Sequence, residues 1–194
     1  MSYVSLFKMA KTLKVKPTLV SFPTDTVPAL AAKPENAELI YEAKRRSQSK
    51  PLILMGASLD QLLPYVFGDP AALNTWKALT DRHWPGQLTL VLPKSDRTPP
   101  TLNPANTGTL GIRVPNHPVA LNLLSRTGPL ATTSANLSGQ PALTNSTEIV
   151  KTFPDALVLP PEAFESQPTS GTPSTVIKWT GEGWQVLRQG QIQI

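Results

Sequence analysis

The chain has 194 residues, 40% of them hydrophobic, and no linker-like run divides it, so we expect a single domain over residues 1–194. It contains no cysteine, which excludes disulfides, thiolate nucleophiles and cysteine-based zinc sites, and its two histidines argue against a histidine-built transition-metal site. Eighteen Lys and Arg against thirteen Asp and Glu give a net charge of +5, which favours anionic ligands such as nucleotides or nucleic acid.

Lysines at positions 8, 11, 14 and 16 interrupt the amino-terminal segment. No signal-peptide core fits there, and no apolar run elsewhere approaches the length that spans a membrane. We therefore expect a cytoplasmic protein that makes no membrane contact.

Short apolar or β-branched runs alternate with segments of helical spacing along the chain. This alternation predicts an α/β fold, in which helices pack on a mixed sheet. In chain order we predict a strand over 18–22, a helix over 35–46, a strand over 52–55, a helix over 70–82, a strand over 88–92, a long mobile loop over 95–107, a helix over 118–126, a strand that begins in the apolar run 128–132, a second long mobile loop over 162–173, a strand over 174–177 and a final strand near Arg188.

The segment Ser-Ala-Asn-Leu-Ser-Gly at 134–139 follows the apolar run 128–132. Small polar residues at the exit of a buried strand hold hydrogen-bonding groups at a sheet edge, where α/β proteins usually bind ligands. The alternative is an ordinary strand-to-helix connection, in which Ser and Asn cap the next element and Gly takes a left-handed conformation.

Three cationic features could contact an anionic ligand. Lys44, Arg46 and Lys50 lie where a helix is predicted to end, so they could clamp phosphates or simply complement the negative end of the helix. Arg113 lies in an apolar strand and must meet a carboxylate of the protein or of a ligand. Arg188 lies near the end of the final strand.

Hydroxyl side chains are a second feature that recurs in the candidate segments. Together with the cations they are typical of a pocket for a polar, anionic ligand. Each could also be a turn or cap residue, and a turn-capping role for Asp25 is at least as plausible as metal binding. The chain has no phosphate-binding P-loop, dinucleotide fingerprint or nucleophile elbow, so we expect positioning and electrostatics rather than a covalent intermediate, and we assign no catalytic side chain. The hydroxyls are those of Thr24, Thr26, Thr132, Thr133, Ser134, Ser138, Thr144, Ser174 and Thr175.

Seven blocks of the sequence, in order, resemble the YrdC/Sua5/TsaC family of L-threonylcarbamoyladenylate synthases. Together they run from about residue 17 to the end of the chain, which makes the match specific. The blocks are Pro23-Thr24-Asp25-Thr26, Lys44-x-Arg46 with Lys50-Pro51-Leu52, Trp84-Pro85-Gly86 with Leu88-Thr89-Leu90, Arg113-x-Pro115 with His117-Pro118, Ser134-Ala135-Asn136-x-Ser138-Gly139, Pro173-Ser174-Thr175-Val176 and Arg188-x-Gly190.

The resemblance implies a YrdC-like fold, a twisted mixed β-sheet flanked by helices with a basic concave cavity. It implies a nucleotidyltransferase that joins L-threonine, bicarbonate and ATP into threonylcarbamoyl-AMP and pyrophosphate, for modification of adenosine 37 in tRNA. Mg²⁺ would accompany the triphosphate, with no metal site on the protein itself. The chain has the length of the single-domain form, which works beside separate threonylcarbamoyl transferase proteins.

Matching by motif implies two sets of binding residues. Thr26, Arg113, Ser134 and Ser174 would contact threonine. ATP would contact a second set, namely Lys44, Arg46, Lys50, Thr109, Asn136, Thr144 and Arg188.

The chain departs from the family pattern at three places. Pro28-Ala29-Leu30 stands where Tyr-Gly-Leu is usual, Gln87 replaces a proline, and Met55 replaces a histidine that many members carry. Two other readings stay open: a diverged relative that binds nucleotide without turnover, and a protein that binds tRNA or double-stranded RNA, whose affinity would fall steeply with salt.

Overall fold

The structure is a computed structural model that describes residues 3–194. Seven helices and nine strands follow one another along this part of the chain, together with three short 3-10 turns. The helices are α1 (Leu6–Val15), α2 (Glu38–Lys44), α3 (Leu59–Leu62), α4 (Pro70–His83), α5 (Pro118–Thr127), α6 (Ser146–Thr152) and α7 (Pro161–Glu165). The strands are β1 (Val20–Phe22), β2 (Ala29–Ala32), β3 (Ile53–Met55), β4 (Leu88–Pro93), β5 (Thr109–Arg113), β6 (Leu130–Ser134), β7 (Leu157–Val158), β8 (Thr175–Trp179) and β9 (Trp184–Arg188).

The strands form one sheet in the order β7-β1-β2-β6-β3-β5-β4-β8-β9. Three neighbouring pairs are parallel, namely β1 with β7, β3 with β5 and β4 with β8, and the other five pairs are antiparallel. This confirms the predicted mixed α/β sheet flanked by helices. No helix among residues 3–194 has the length and apolar character that a membrane crossing requires.

Alternation along the central strands separates an apolar face from a polar face. Leu54, Ile112 and Leu90 are cross-strand partners, and all three are fully buried. On the opposite face the partners include Met55 and Arg113. Because successive side chains of a strand point to opposite sides, these core residues turn their sequence neighbours toward the other face, among them Arg113.

A capping aspartate and two prolines mark where two of the predicted helices begin. Asp69 precedes α4 and accepts a hydrogen bond from the Ala72 amide at 2.8 Å, with Pro70 at the first helical position. His117 precedes α5 and makes no side-chain cap hydrogen bond, but a proline again occupies the first helical position, so α5 begins at the predicted residue 118.

The predicted helix over 35–46 is two shorter elements. A 3-10 turn covers Pro34–Asn36, and α2 ends at Lys44 because Arg45 adopts a left-handed conformation with φ of 50°. The Arg46 amide then donates back to the Tyr41 carbonyl at 2.9 Å, which closes the helix end. The turn carries Arg46 out of the helical path.

The two segments predicted as long mobile loops contain ordered structure. In the first, the 3-10 turn Pro100–Leu102 buries Leu102, whose carbonyl accepts from the Leu52 amide at 3.0 Å. In the second, α7 covers Pro161–Glu165 and buries Phe164. The rest of both segments contains no helix or strand, as predicted, and their mobility stays a prediction. The two short elements were missed because single apolar residues in a polar, proline-rich sequence give no periodic signal, although each one anchors its segment to the core.

Candidate functional site

A cavity of about 190 Å³ lies on the polar face of the sheet. Its walls come from β2, β3, β5 and β6, from the turn after β1 and from the segment before β8, with Arg46 and Arg188 at its margin. Six of the residues predicted to bind substrates line it: Thr26, Arg46, Arg113, Ser134, Ser174 and Arg188.

The five other predicted residues lie outside this lining, as far as the described residues show. Lys44 and Asn136 are buried directly behind Ser134, and Lys50 is exposed beside Arg46. Thr109 begins β5, at the end opposite Arg113, and Thr144 is exposed just before α6. Their proposed contacts with ATP stay predictions.

Arg113 is the most constrained side chain of the cavity. It is 3% exposed, and its guanidinium donates from Nε to the Gly86 carbonyl at 3.0 Å, from Nη1 to Thr26 Oγ1 at 2.9 Å and from Nη2 to Asp25 Oδ1 at 2.7 Å. Burial lowers the pKa of Arg113, while the Asp25 carboxylate raises it. The carboxylate that an arginine in an apolar strand requires is therefore supplied by the protein.

Arg46 and Arg188 have a different electrostatic environment. Arg46 donates to the carbonyls of Lys50 and Pro51, both at 3.1 Å, and Arg188 donates to the Ser174 carbonyl at 2.8 and 3.0 Å. Among residues 3–194 neither forms an ion pair. Partial desolvation lowers the pKa of both guanidiniums, because it disfavours the charged form, although Arg188 as a residue is exposed. Both cations therefore lie beside the cavity without a compensating carboxylate among the described residues.

Lys44 holds the loop after β6 from behind. Its Nζ donates to the Ser134 carbonyl, to the Asn136 carbonyl at 2.6 Å and to Asn136 Oδ1 at 3.3 Å. Asn136 Oδ1 also accepts from Ser134 Oγ at 2.5 Å. The predicted cation cluster at the helix end thus divides, because Lys44 points into the protein and Arg46 points to the cavity.

Ser174 is fixed from two sides. Its hydroxyl lies 2.8 Å from Thr89 Oγ1, and Arg188 Nη2 donates to it at 3.3 Å. Gly190, two residues after Arg188, lies very close to the chain before β8. A Cβ added there would be 2.6 Å from both the Pro173 carbonyl oxygen and the Thr175 amide nitrogen. The spacing Arg-x-Gly therefore reflects a close approach that only glycine allows.

Sequence reasoning missed part of the lining, notably the apolar side chains of Val27 and Ile53. Strand periodicity could place Ile53 on one face of β3, but which strand lies next to it depends on a register that the sequence does not show. Of the three departures from the family pattern, Met55 lines the cavity and Ala29 stands in its wall. Gln87 donates to the Asp25 carbonyl at 3.1 Å.

No cluster of three or more His, Cys, Asp or Glu that could hold a metal occurs within residues 3–194. The residues described as lining the cavity also include no acidic side chain. The cavity therefore presents arginines, hydroxyls and an apolar wall to a ligand.

The fold and this cavity define a mixed α/β protein with a cationic, hydroxyl-lined pocket on its sheet. The chain belongs to the Sua5_yciO_yrdC family, whose description is "Telomere recombination" and which it matches over residues 15–190. It is 37% identical over 180 residues to the threonylcarbamoyl-AMP synthase of Bacillus subtilis, covering 90% of this chain and 50% of that one. With the threonylcarbamoyl-AMP synthase of Vibrio campbellii the identity is 34% over 178 residues, covering 89% and 92%.

Among solved structures, the chain resembles Sua5 of Pyrococcus abyssi complexed with L-threonine. The TM-score is 0.82 and the sequence identity 32%, with 96% of this chain and 55% of that chain covered. The chain spans about half the length of the Bacillus relative and of this Sua5 chain, and nearly all of the Vibrio relative.

We predict that Gly190→Ala displaces β9 from the chain before β8 and moves Arg188 away from Ser174. The methyl group meets backbone atoms, which cannot yield as a flexible side chain can, so the free energy of unfolding should fall by about 1–3 kcal/mol. Chemical denaturation measures this loss. Gly183→Ala is the matched control because its Cβ would meet nothing within 4 Å, and an equal loss in both variants would contradict the explanation.

Lys44 should make stability depend on pH. Burial, and secondarily Arg46, lower its pKa from 10.5 to about 7. Between these two values the unfolded chain binds the proton that the folded protein has released, so the free energy of unfolding rises with pH there. Denaturation of wild type and Lys44→Met at about pH 7 and about pH 9.5 checks this. The wild type should gain stability relative to the variant at the higher pH, whereas a constant difference would show that Lys44 does not titrate in this range.

Proposed function

We propose that the chain is a threonylcarbamoyl-AMP synthase, which joins L-threonine, bicarbonate and ATP into threonylcarbamoyl-AMP and pyrophosphate. The observation that carries the proposal is the division of charge in one cavity, where Arg113 is neutralised by Asp25 while Arg46 and Arg188 have no ion-pair partner among the described residues. Relatives that bear the name of this enzyme, and the solved Sua5 complex with L-threonine, support it.

Arg113 suits the amino-acid substrate. A guanidinium has five N–H donors, and the protein uses one on each of its three nitrogens, so two remain for a carboxylate. Because Asp25 already balances the charge, this part of the cavity favours a zwitterion over a multiply charged anion. The hydroxyls of Thr26, Ser134 and Ser174 line the same cavity and can bond the polar groups of threonine.

Arg46 and Arg188 suit the phosphates. Their uncompensated charge and forked donors match phosphate oxygens. Each is held by backbone carbonyls rather than by a carboxylate, so binding a phosphate would not require an existing ion pair to break. Lys44 would act on the same site indirectly, by fixing the Ser134 and Asn136 backbone.

The reaction needs two anions to meet. The threonine amine and bicarbonate condense to a carbamate with loss of water, and a carbamate oxygen then attacks the α-phosphorus of ATP. A new P–O bond forms there while the bond to the pyrophosphate leaving group breaks. The cavity would contribute by holding both reactants in line and by offsetting their repulsion with Arg46 and Arg188, with no covalent intermediate on the protein.

Mg²⁺ binds oxygen ligands, often phosphates together with one or two carboxylates. The described lining has no acidic side chain, so we infer that Mg²⁺ enters on the triphosphate and helps to neutralise it. We further infer that residues 1–194 act as one domain in cytoplasmic tRNA processing. The product would pass to separate threonylcarbamoyl transferase proteins that act on tRNA, with or without direct RNA binding by this chain.

Pyrophosphate release by the purified protein tests the activity. We expect release from ATP only when threonine and bicarbonate are both present, because the carbamate is the nucleophile. Binding of ATP or threonine without release would instead identify a diverged binding protein, for which Pro28-Ala29 is the sequence feature to examine. Binding of neither, with salt-sensitive affinity for double-stranded RNA, would favour the RNA-binding alternative.

Arginine-to-glutamine variants test the division of the cavity. Arg113→Gln should raise KM for threonine by at least about tenfold, since a charged hydrogen bond to the carboxylate is lost, and leave KM for ATP nearly unchanged. Arg46→Gln and Arg188→Gln should have the reverse effect. Arg126→Gln, on the exposed end of α5, is the matched control that should leave both constants unchanged. Equal effects of all three cavity variants on both substrates would contradict the assignment.

A further inference from the structure

The Asp25 carboxylate lies behind Arg113 and outside the described lining of the cavity. Asp25 is 8% exposed, and its Oδ1 accepts from Arg113 Nη2 at 2.7 Å. It therefore acts on a ligand through Arg113 rather than by contact. Because Asp25 does not contact a ligand, its role in the proposed function has to be an effect on Arg113.

The turn that carries Asp25 is held by its own side chains. Thr24 Oγ1 donates to the Val27 carbonyl at 2.7 Å and accepts from the Thr26 amide at 3.2 Å. It also lies 3.0 Å from Thr26 Oγ1, the atom that accepts from Arg113. Both acceptors of Arg113 in this turn are thus fixed relative to each other.

Two distant segments hold the same turn from outside. The Asp25 carbonyl accepts from Gln87 Nε2 and from the Ser170 amide, both at 3.1 Å, and the Thr26 carbonyl accepts from the Gly171 amide at 3.0 Å. The loop that supplies Gln87 also supplies the Gly86 carbonyl that accepts from Arg113 Nε. The two segments that carry the three acceptors of the guanidinium are therefore hydrogen-bonded to each other.

This arrangement is not explained by stability. A buried ion pair usually stabilises a fold no better than apolar residues of the same volume, because both charges lose their water. Asp25 Oδ2 and Gln87 Oε1 are also buried with no hydrogen-bond partner among the described residues, which adds a desolvation cost. Both ring nitrogens of the nearby, fully buried His117 share this state. A costly pair at this position favours a role in orientation.

We propose that Asp25 is a positioning residue, which fixes the plane of the Arg113 guanidinium so that its two remaining N–H donors face a substrate carboxylate in the cavity. With three acceptors on three different nitrogens the plane of the guanidinium is fixed, and the remaining N–H donors, one on Nη1 and one on Nη2, keep fixed directions. The identity of that carboxylate as threonine's rests on the proposed function, whereas the orientation of Arg113 does not.

Asp25→Asn tests the proposal because it keeps the shape of the side chain but replaces the charged acceptor of Arg113 Nη2 with at most a weaker, neutral one. We expect the dissociation constant for threonine, measured by calorimetry, to rise by about tenfold or more, and that for ATP to change by less than about twofold. Asp81→Asn is the matched control, since it removes the carboxylate of the exposed Lys77–Asp81 pair and should change neither constant. Loss of both affinities together, or of neither, would overturn the proposal.

Exchange of the Arg113 Nε proton, followed by nitrogen-15 NMR, gives a readout that does not depend on threonine. Slow exchange in the wild type that becomes fast in Asp25→Asn supports the positioning role even if the wild type binds no threonine, a result that would reject the proposed function alone. Unchanged exchange in the variant would overturn the proposal. Should Asp25→Asn fail to fold, Gln87→Ala removes one support of the turn and should weaken threonine binding in the same selective way, while equal weakening of ATP binding would overturn it.

Discussion

Burial of the Arg113 guanidinium is the constraint on which the site depends. A charged group at 3% exposure must have its charge balanced and its donors satisfied, or the protein would lose more free energy than a small domain can spare. The protein meets this requirement with Asp25, Thr26 and Gly86, which come from two segments about sixty residues apart in the chain. The same contacts that satisfy Arg113 therefore assemble one wall of the cavity.

The remaining cations divide by how they are compensated. Lys44 donates to three oxygen acceptors and lies outside the described cavity lining, so it contributes by holding the Ser134 to Asn136 loop in shape. Arg46, only two residues away, faces the cavity because the left-handed Arg45 ends α2 between them. A single backbone conformation thus separates a structural cation from one that can meet phosphates, and the same division underlies the proposed synthase activity.

The sheet links the core to the cavity. Leu54, Ile112 and Leu90 fill the apolar side, and the residues next to them in sequence, Met55, Arg113 and Thr89, lie on the other side. Apolar burial on one face supplies the stability that allows costly polar groups to be kept on the other. Part of this cost comes from the buried atoms of Asp25, Gln87 and His117 that have no hydrogen-bond partner among the described residues.

The sequence by itself determined the α/β class, most of the strands, the helices α2, α4 and α5 to within a few residues, and the need of Arg113 for a carboxylate, because periodicity, capping and charge are local properties. It did not show α1, α6 or β2. Its motif resemblance named the family, and six of its eleven proposed binding residues line one cavity. Only the tertiary structure decided that Asp25 supplies the carboxylate, that Lys44 turns inward and Arg46 outward, and that the segment 95–107 is anchored by Leu102. These outcomes depend on strand register and on hydrogen bonds between residues far apart in the chain, and neither leaves a periodic trace in the sequence.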